Sequence, residues 1–447
     1  MSRAISIFGT SSDAGKSTLT FVFGKILQEF GLKVAPFKAQ NVSNNARVAD
    51  DGSEIAYSQY FQALTLEEKS SWHNNPILLK SGYKNSTSLI IKGKSLGSKD
   101  VRKYYKDLDL LKPAVTKALE ELKKKYDFIV AEGAGSPVEL NLLDKDLSNI
   151  FTARKLNAKI ILVADIQKGG VFASIFGTLS LLPRDLRKNV IGVVINKFRG
   201  DKTLFDDGVK IIEKEFKVPV FGVLPFLDLN LGFEDSLNLA NYTQPIKQKA
   251  KKIGIIAYPT MSNYNDFEPL IVSENFEVEF IKSNRSLNEF DLIILPGSKL
   301  VAKDLKWLKT IGLFKRLKRR KKEILGICGG YEMMFEKILD PLKIESQIKE
   351  IKGFGWIDDQ ILLQREKVVK KASYNIFGKR VEGFEIHNGI SKKYPLFFQN
   401  KNIKGTFVHG IFEDANFRTY QKRKIQEFYL EIKKHLDLEK IKKAVKL

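Results

Sequence analysis

Residues 9–18 of this chain read GTSSDAGKST. The apolar run AISIF precedes them at 4–8, and LTFVFGKILQEF follows at 19–30. This is a strand, a glycine turn carrying one lysine, and a helix. The unit constrains the fold more than any other stretch, because it belongs to a mostly parallel sheet with helices packed on it. Short apolar runs keep alternating with amphipathic stretches after it. Strands are expected at 4–8, 34–37, 128–131, 160–164, 190–195 and 220–223. The pattern weakens at about 227–252, which ends in a charge run and reads as a linker. It restarts with strands at 253–257, 278–281, 292–295 and 323–327. A β-rich tail follows near 353–364, 379–386 and 405–408, then a basic surface helix over 417–441. With 447 residues, more than one core is expected. The division read here is a first α/β domain over 1–230, a linker over 231–250 and a second α/β domain over 251–447.

A phosphate-binding turn needs small residues so that backbone N–H groups converge. It also needs a lysine for the outer phosphates and a hydroxyl for a metal ion. Gly15, Lys16 and Ser17 supply these, with Thr18 on the first turn of the helix. The helix N-terminus adds its positive end. The usual G-x-x-x-x-G-K-[ST] spacing fits only if Thr10 takes the first glycine's place, because Gly9 lies one residue too far back. Asp13 inside the loop is unusual beside phosphates and has to act through a metal, through Lys16 or on another group. A nucleoside triphosphate, ATP, with Mg²⁺ is the expected ligand. The second metal-side acid is expected at a strand end, and Glu132 in YDFIVAEGAG fits. Asp51, in the polar stretch 41–54, is a weaker alternative.

The single cysteine, Cys328, excludes an intrachain disulfide and suits a cytoplasmic setting. Neither a leader-like segment nor an apolar run approaching the roughly 20 residues of a membrane span is read. Net charge is +23, from 75 Lys and Arg against 52 Asp and Glu. That balance favours anionic partners, although most of the excess reads as lysine spread over solvated faces. Aromatic residues do not interleave with the basic runs, so a nucleic-acid stacking surface is not expected.

Cys328 lies in GICGG, between a strand and a helical stretch. Isolated cysteines in apolar runs mostly pack cores. Here the flanking glycines permit a sharp elbow that holds the thiol at its tip, with the Gly329 N–H and the helix start beside it. Such a thiol needs a histidine. His409 in GTFVHGIFE, after a strand, is the first choice and His387 in EGFEIHNG the second. His73 and His435 sit in polar surroundings.

Taken together, these segments resemble the cobyric acid synthase family of cobalamin-pathway glutamine amidotransferases over essentially the whole chain. The matching pieces are GTSSDAGKS, APFKAQNVSNNA, NPILLK, EGAGSPVELNL, VADIQKGGVFAS, VINKFRGD, LPGSK, GICGGYEMM, EGFEIHNG and GTFVHGIFE. Dethiobiotin synthetase, a more distant relative, shares the longer phosphate-loop spacing. The resemblance implies a P-loop synthetase domain followed by a class I glutaminase domain. Cys328 would attack glutamine with His409 as base, and Gly329 with the Gly297-Ser298 turn would supply oxyanion N–H groups. Ammonia would pass to the first domain, where ATP phosphorylates corrin carboxylates. The implied substrate is adenosylcobyrinic acid a,c-diamide, amidated at its b, d, e and g side chains. Two departures stand out. The H-x-E acid of many class I glutaminases is absent, which leaves Glu413 as an open question. Val42 and Phe384 replace an expected Met and Tyr. Two other readings remain at this level: an amidotransferase of the same architecture acting on another carboxylate, such as cobyrinic acid or a cell-wall precursor, and a P-loop switch that binds nucleic acid through its lysines. Oligomeric state is not legible.

Overall fold

The computed structural model describes residues 3–81, 86–100, 108–227 and 250–446. Six parallel strands form the first sheet, in the order Val220–Pro225, Val190–Phe198, Lys159–Asp165, Arg3–Gly9, Phe128–Glu132, Val34–Phe37. The first strand is thus internal, with later strands added on both sides of it. Alternation along it sends Ile5 and Ile7 to one face and Ala4 and Phe8 to the other. Both faces are therefore covered by helices, as a parallel sheet requires. The phosphate-loop helix Lys16–Glu29 and the helix Tyr57–Thr65 lie on the first face. Leu108–Lys125 and Val171–Leu181 lie on the second.

The second domain's main sheet runs Phe276–Ile281, Lys251–Ile256, Leu292–Leu295, Glu323–Ile327, Ile403–Thr406, Phe397–Asn400, and only the last strand is antiparallel. Beside it a long hairpin pairs Ile357–Ile376 with Lys379–Ile390. The turn between them is Phe377-Gly378, both at positive φ (50° and 74°), as a two-residue hairpin turn of this hand needs.

Two features differ from the sequence reading. No strand is expected between 37 and 128, where only the stretch 41–54 reads as polar, and the structure differs over 40–100. It contains a four-stranded sheet of Gln40–Val42, Ile77–Ser81, Ser86–Ile91 and Lys94–Asp100, and a hairpin of Ala46–Val48 with Glu54–Ala56. Gln40–Val42 and the hairpin strands have three residues each, and the longer ones, ILLKS, STSLII and KSLGSKD, do not alternate apolar with polar. The helix Ala415–Lys433 is also more than a basic surface helix. Phe417, Ile425, Tyr429 and Ile432 are buried in one cluster with Leu19, Phe21, Val22 and Ile26 of the phosphate-loop helix. With Leu438–Val445 it closes the first domain's core, although it lies at the far end of the second domain's sequence. The segment read as the linker lies outside the described residues apart from residue 250. Among the described residues no helix is long and apolar enough to cross a membrane.

Candidate active site

Three adjacent strands of the second sheet end at the same rim, in register Leu295↔Gly326 and Ile327↔Thr406. They deliver Gly297-Ser298, Cys328 and His409. Cys328 is anchored by its N–H to Thr406 O (2.8 Å) and adopts φ 52°, ψ −111°. A non-glycine residue in that region is strained by about 1–3 kcal/mol and persists only where its surroundings impose it. The surroundings are glycines with no room for a side chain. A Cβ on Gly329 would lie 2.7 Å from Ser298 N, and one on Gly330 would lie 1.9 Å from Leu295 O. The helix Gly329–Glu332 starts directly behind the thiol. Burial, with the Glu332 carboxylate nearby, pushes the Cys328 thiol well above its usual range. The thiol is therefore protonated at rest, donating weakly to Ile386 O at 3.6 Å, and a base is required to activate it.

His409, on the same rim, is fully buried. Its Nδ1 lies 2.6 Å from Asp266 Oδ2, and Asp266 Oδ1 accepts from Gly410 N at 3.0 Å. A carboxylate only accepts, so Nδ1 carries the proton and Nε2 keeps its lone pair. Asp266 is the residue that the sequence reading missed. It sits on the turn Tyr264–Phe267, fixed in place because Met261 and Ser262 pair with Ser298 and Gly297. Glu413, the open question, is turned elsewhere and forms a bidentate pair with Arg47 of the first domain at 2.6 and 2.8 Å. His387 is tied down at both ring nitrogens, by Gly389 O and Glu385, and stacks on Phe407. The Ser298 hydroxyl donates to Asp304 at 2.6 Å, which steadies the turn packed against Gly329. Burial raises Asp304 to about 6, although Ser298 and Thr260 both donate to it.

In the first domain the phosphate loop leaves the internal strand, with Thr10 N donating to Val163 O at 2.9 Å. Gly15 stands at φ 102°, and a Cβ there would lie 2.1 Å from Asn196 Nδ2, which itself donates to Ala14 O. Lys16 curls back over the loop to Ser11 O at 2.9 Å. Asp13 is exposed at φ 57°, a conformation Asp tolerates better than most residues. Thr18 is half-buried on the helix's first turn. The Ser17 hydroxyl donates to Glu132 Oε1 at 2.8 Å, and Lys38 Nζ lies 2.7 Å from the same oxygen. Gln62 donates to the other oxygen. A hydroxyl and a buried carboxylate beside a phosphate loop form a donor set that suits a hard divalent cation.

The structure corrects one expected ligand. Asp51 is exposed, and it accepts from Ser53 and Trp72 N. It lines a depression with Lys33 and Tyr126, at the starts of the strands whose other ends carry Lys38 and Glu132. It stabilises a turn at the wrong end of the sheet to meet phosphate.

A strained thiol elbow with an oriented histidine, and a phosphate loop with its partner acid, define a glutamine amidotransferase joined to a nucleotide-binding domain. Comparison with known proteins agrees. Residues 5–231 match the CobQ/CobB/MinD/ParA nucleotide binding domain, and residues 252–417 match the CobB/CobQ-like glutamine amidotransferase domain. The cobyric acid synthase of Acinetobacter baylyi is 62% identical over 95% of this chain and 91% of its own. Those of Prochlorococcus marinus subsp. pastoris and Clostridium acetobutylicum are 39% and 37% identical over 94% of this chain and 89% of theirs. The chain belongs to the cobyric acid synthase family. It is an ATP-dependent, glutamine-hydrolysing ligase of cobalamin biosynthesis.

Proposed function

We propose that this enzyme amidates the b, d, e and g carboxylates of adenosylcobyrinic acid a,c-diamide, using ammonia made at Cys328 and acyl phosphates made at the phosphate loop. The observation that carries the reading is the convergence of Cys328, His409 and the Gly297-Ser298 turn on one sheet rim, with Asp266 on the histidine.

His409 Nε2 takes the thiol proton as Cys328 sulfur attacks the glutamine carboxamide carbon. The N–H groups of Gly329 and of the Gly297-Ser298 turn would stabilise the resulting oxyanion. The imidazolium returns the proton to the leaving nitrogen, so ammonia departs and a thioester remains. Water, deprotonated by His409, cleaves the thioester to glutamate and the free thiol. In the first domain a corrin carboxylate attacks the γ-phosphorus of ATP, giving ADP and an acyl phosphate. Ammonia displaces phosphate from the acyl carbon and leaves the amide. The chain's part there is positioning and charge: Lys16 and the loop N–H groups hold the phosphates, with Thr10 and Gly15 shaping the loop. Ser17 and Glu132 would hold Mg²⁺, which supplies Lewis-acid neutralisation of the transferring phosphoryl group.

The test is separability. Cys328→Ala is expected to lose amidation with glutamine and keep it with ammonium salts. Lys16→Ala is expected to lose it with either nitrogen source. Glutamine-dependent turnover surviving in Cys328→Ala contradicts the reading.

A further inference from the structure

The glutaminase centre is not built by its own domain alone. The hairpin 46–56 of the first domain buries Ala46, Val48 and Ala56, with Leu78 and Ile90, against Phe384 and Ile386 of the second. Both of these partners border the reacting groups. Phe384 stacks on the His409 ring (centroids 5.0 Å apart, planes 18°), and the two residues exchange backbone hydrogen bonds of 3.2 and 2.8 Å. Ile386 O accepts from the Cys328 thiol. Arg47 lies over the Phe384 ring at 4.6 Å while gripping Glu413.

The most direct link is Asn263. It is 7% exposed and is held at φ 52°, two residues beyond the start of the short strand that pairs with Gly297-Ser298. Its Oδ1 accepts from Ala46 N, in the first domain, at 3.0 Å. Its Nδ2 lies 3.2 Å from His409 Nε2. The orientation of this carboxamide is not free. A backbone N–H can only donate, so oxygen must face Ala46 and the NH₂ must face the histidine. A donor aimed at Nε2 favours the neutral ring with its lone pair outward, the form a base requires. Asp266 on Nδ1 and Asn263 on Nε2 then fix the ring plane from both ends.

We propose that Asn263 is a positioning residue for the glutaminase base, oriented by Ala46 N–H, so that the synthetase domain completes the glutaminase centre. The inference rests on the reading of Cys328 and His409 as the glutaminase pair. Glutamine binding brings the thiol to the same lone pair, which Asn263 keeps aimed and unprotonated until then. The segment that supplies Ala46 begins at Lys38, ion-paired to Glu132 beside the phosphate loop. One short run of chain therefore touches both centres.

The experiment uses the full chain with Asn263→Asp and Asn263→Ala. Asp keeps the size and the bond from Ala46 but turns an acceptor toward Nε2 and holds a proton there. Asp266 faces the ring at Nδ1, and across Phe384 lies Arg47, whose charge is already taken up by Glu413. For Asn263→Asp, kcat of glutamine hydrolysis is expected to fall about a hundredfold with little change in KM. The acid limb of its pH profile should move to higher pH. Asn263→Ala is expected to cost about tenfold, as the loss of one well-placed hydrogen bond does. Ammonium-dependent amidation should stay at the unsubstituted level in both, which also reports a folded chain. Unchanged glutaminase in Asn263→Asp overturns the proposal, as does a rise in Asn263→Ala or a parallel fall of both activities. Cys328→Ala is the separate control: glutamine hydrolysis persisting there removes the glutaminase reading itself.

Discussion

At Cys328 the chain holds a side chain at a backbone angle that costs free energy, in a place where glycines leave no alternative path. Burial pushes the Cys328 thiol well above its usual range, which disfavours the thiolate. On the proposed reading its reactivity depends on the tautomer of His409, whose Nδ1 lies 2.6 Å from the Asp266 carboxylate. Asp266→Asn is expected to leave the geometry intact but allow the wrong tautomer. Glutamine hydrolysis should drop by about a hundredfold or more while ammonium-dependent amidation persists, as assayed by glutamate and amide release. Unchanged hydrolysis would show that Asp266 does not orient the base. The sequence made Cys328 and His409 visible because glycines and strand ends are local signals. Asp266 had no such signal: it is 143 positions from its partner and lies in a stretch without a motif. Asp51 failed for the converse reason. It is acidic and flanked by turn residues, and nothing local tells which end of a sheet a turn occupies.

Among elements, the parallel strands were legible because each is a short apolar run between polar breaks, and the observed strands lie within a few residues of the expected ones. The strands of 40–100 were hidden because they are either three residues long or lack regular alternation, yet they form the contact with the second domain. The helix Ala415–Lys433 was misjudged because its three lysines and two arginines outnumber the four apolar residues that dock. Tyr429 shows how firmly it docks, being 1% exposed with its hydroxyl donating to Glu29 at 2.8 Å. Tyr429→Ala is expected to destabilise the chain by about 3 kcal/mol, in the range for emptying a large aromatic site. Urea denaturation measures this, and an unchanged midpoint would mean the helix is not part of the core.

Over the whole molecule, the buried carboxylate Glu54 ties the domains together. Burial alone would raise its pKa, but Lys367 of the second domain and Lys80 outweigh that and hold it at about 2, against an ordinary 4.5. Burial pulls Lys80 down to about 8, so Lys367 is the countercharge that matters most. A carboxylate lowered in the folded state contributes stability that is present above pH 4.5 and lost as pH falls through about 2. Its contribution is at most about 3 kcal/mol. Glu54→Gln is expected to destabilise at neutral pH by leaving the buried Lys80 and the half-buried Lys367 uncompensated, and to flatten the acid dependence in this window. Hydrogen exchange of the hairpin 46–56 across an acid series would read this out, and identical profiles for the two proteins would contradict it.

The central claim is that two separated centres in one chain perform one reaction sequence on one corrinoid. Its most direct test is mass spectrometry of adenosylcobyrinic acid a,c-diamide incubated with the protein, Mg-ATP and glutamine. The account predicts a ladder of carboxyl-to-carboxamide steps ending at the fourth, absent without ATP and restored by ammonium in Cys328→Ala. No step at all, while glutamine is still hydrolysed, would contradict it.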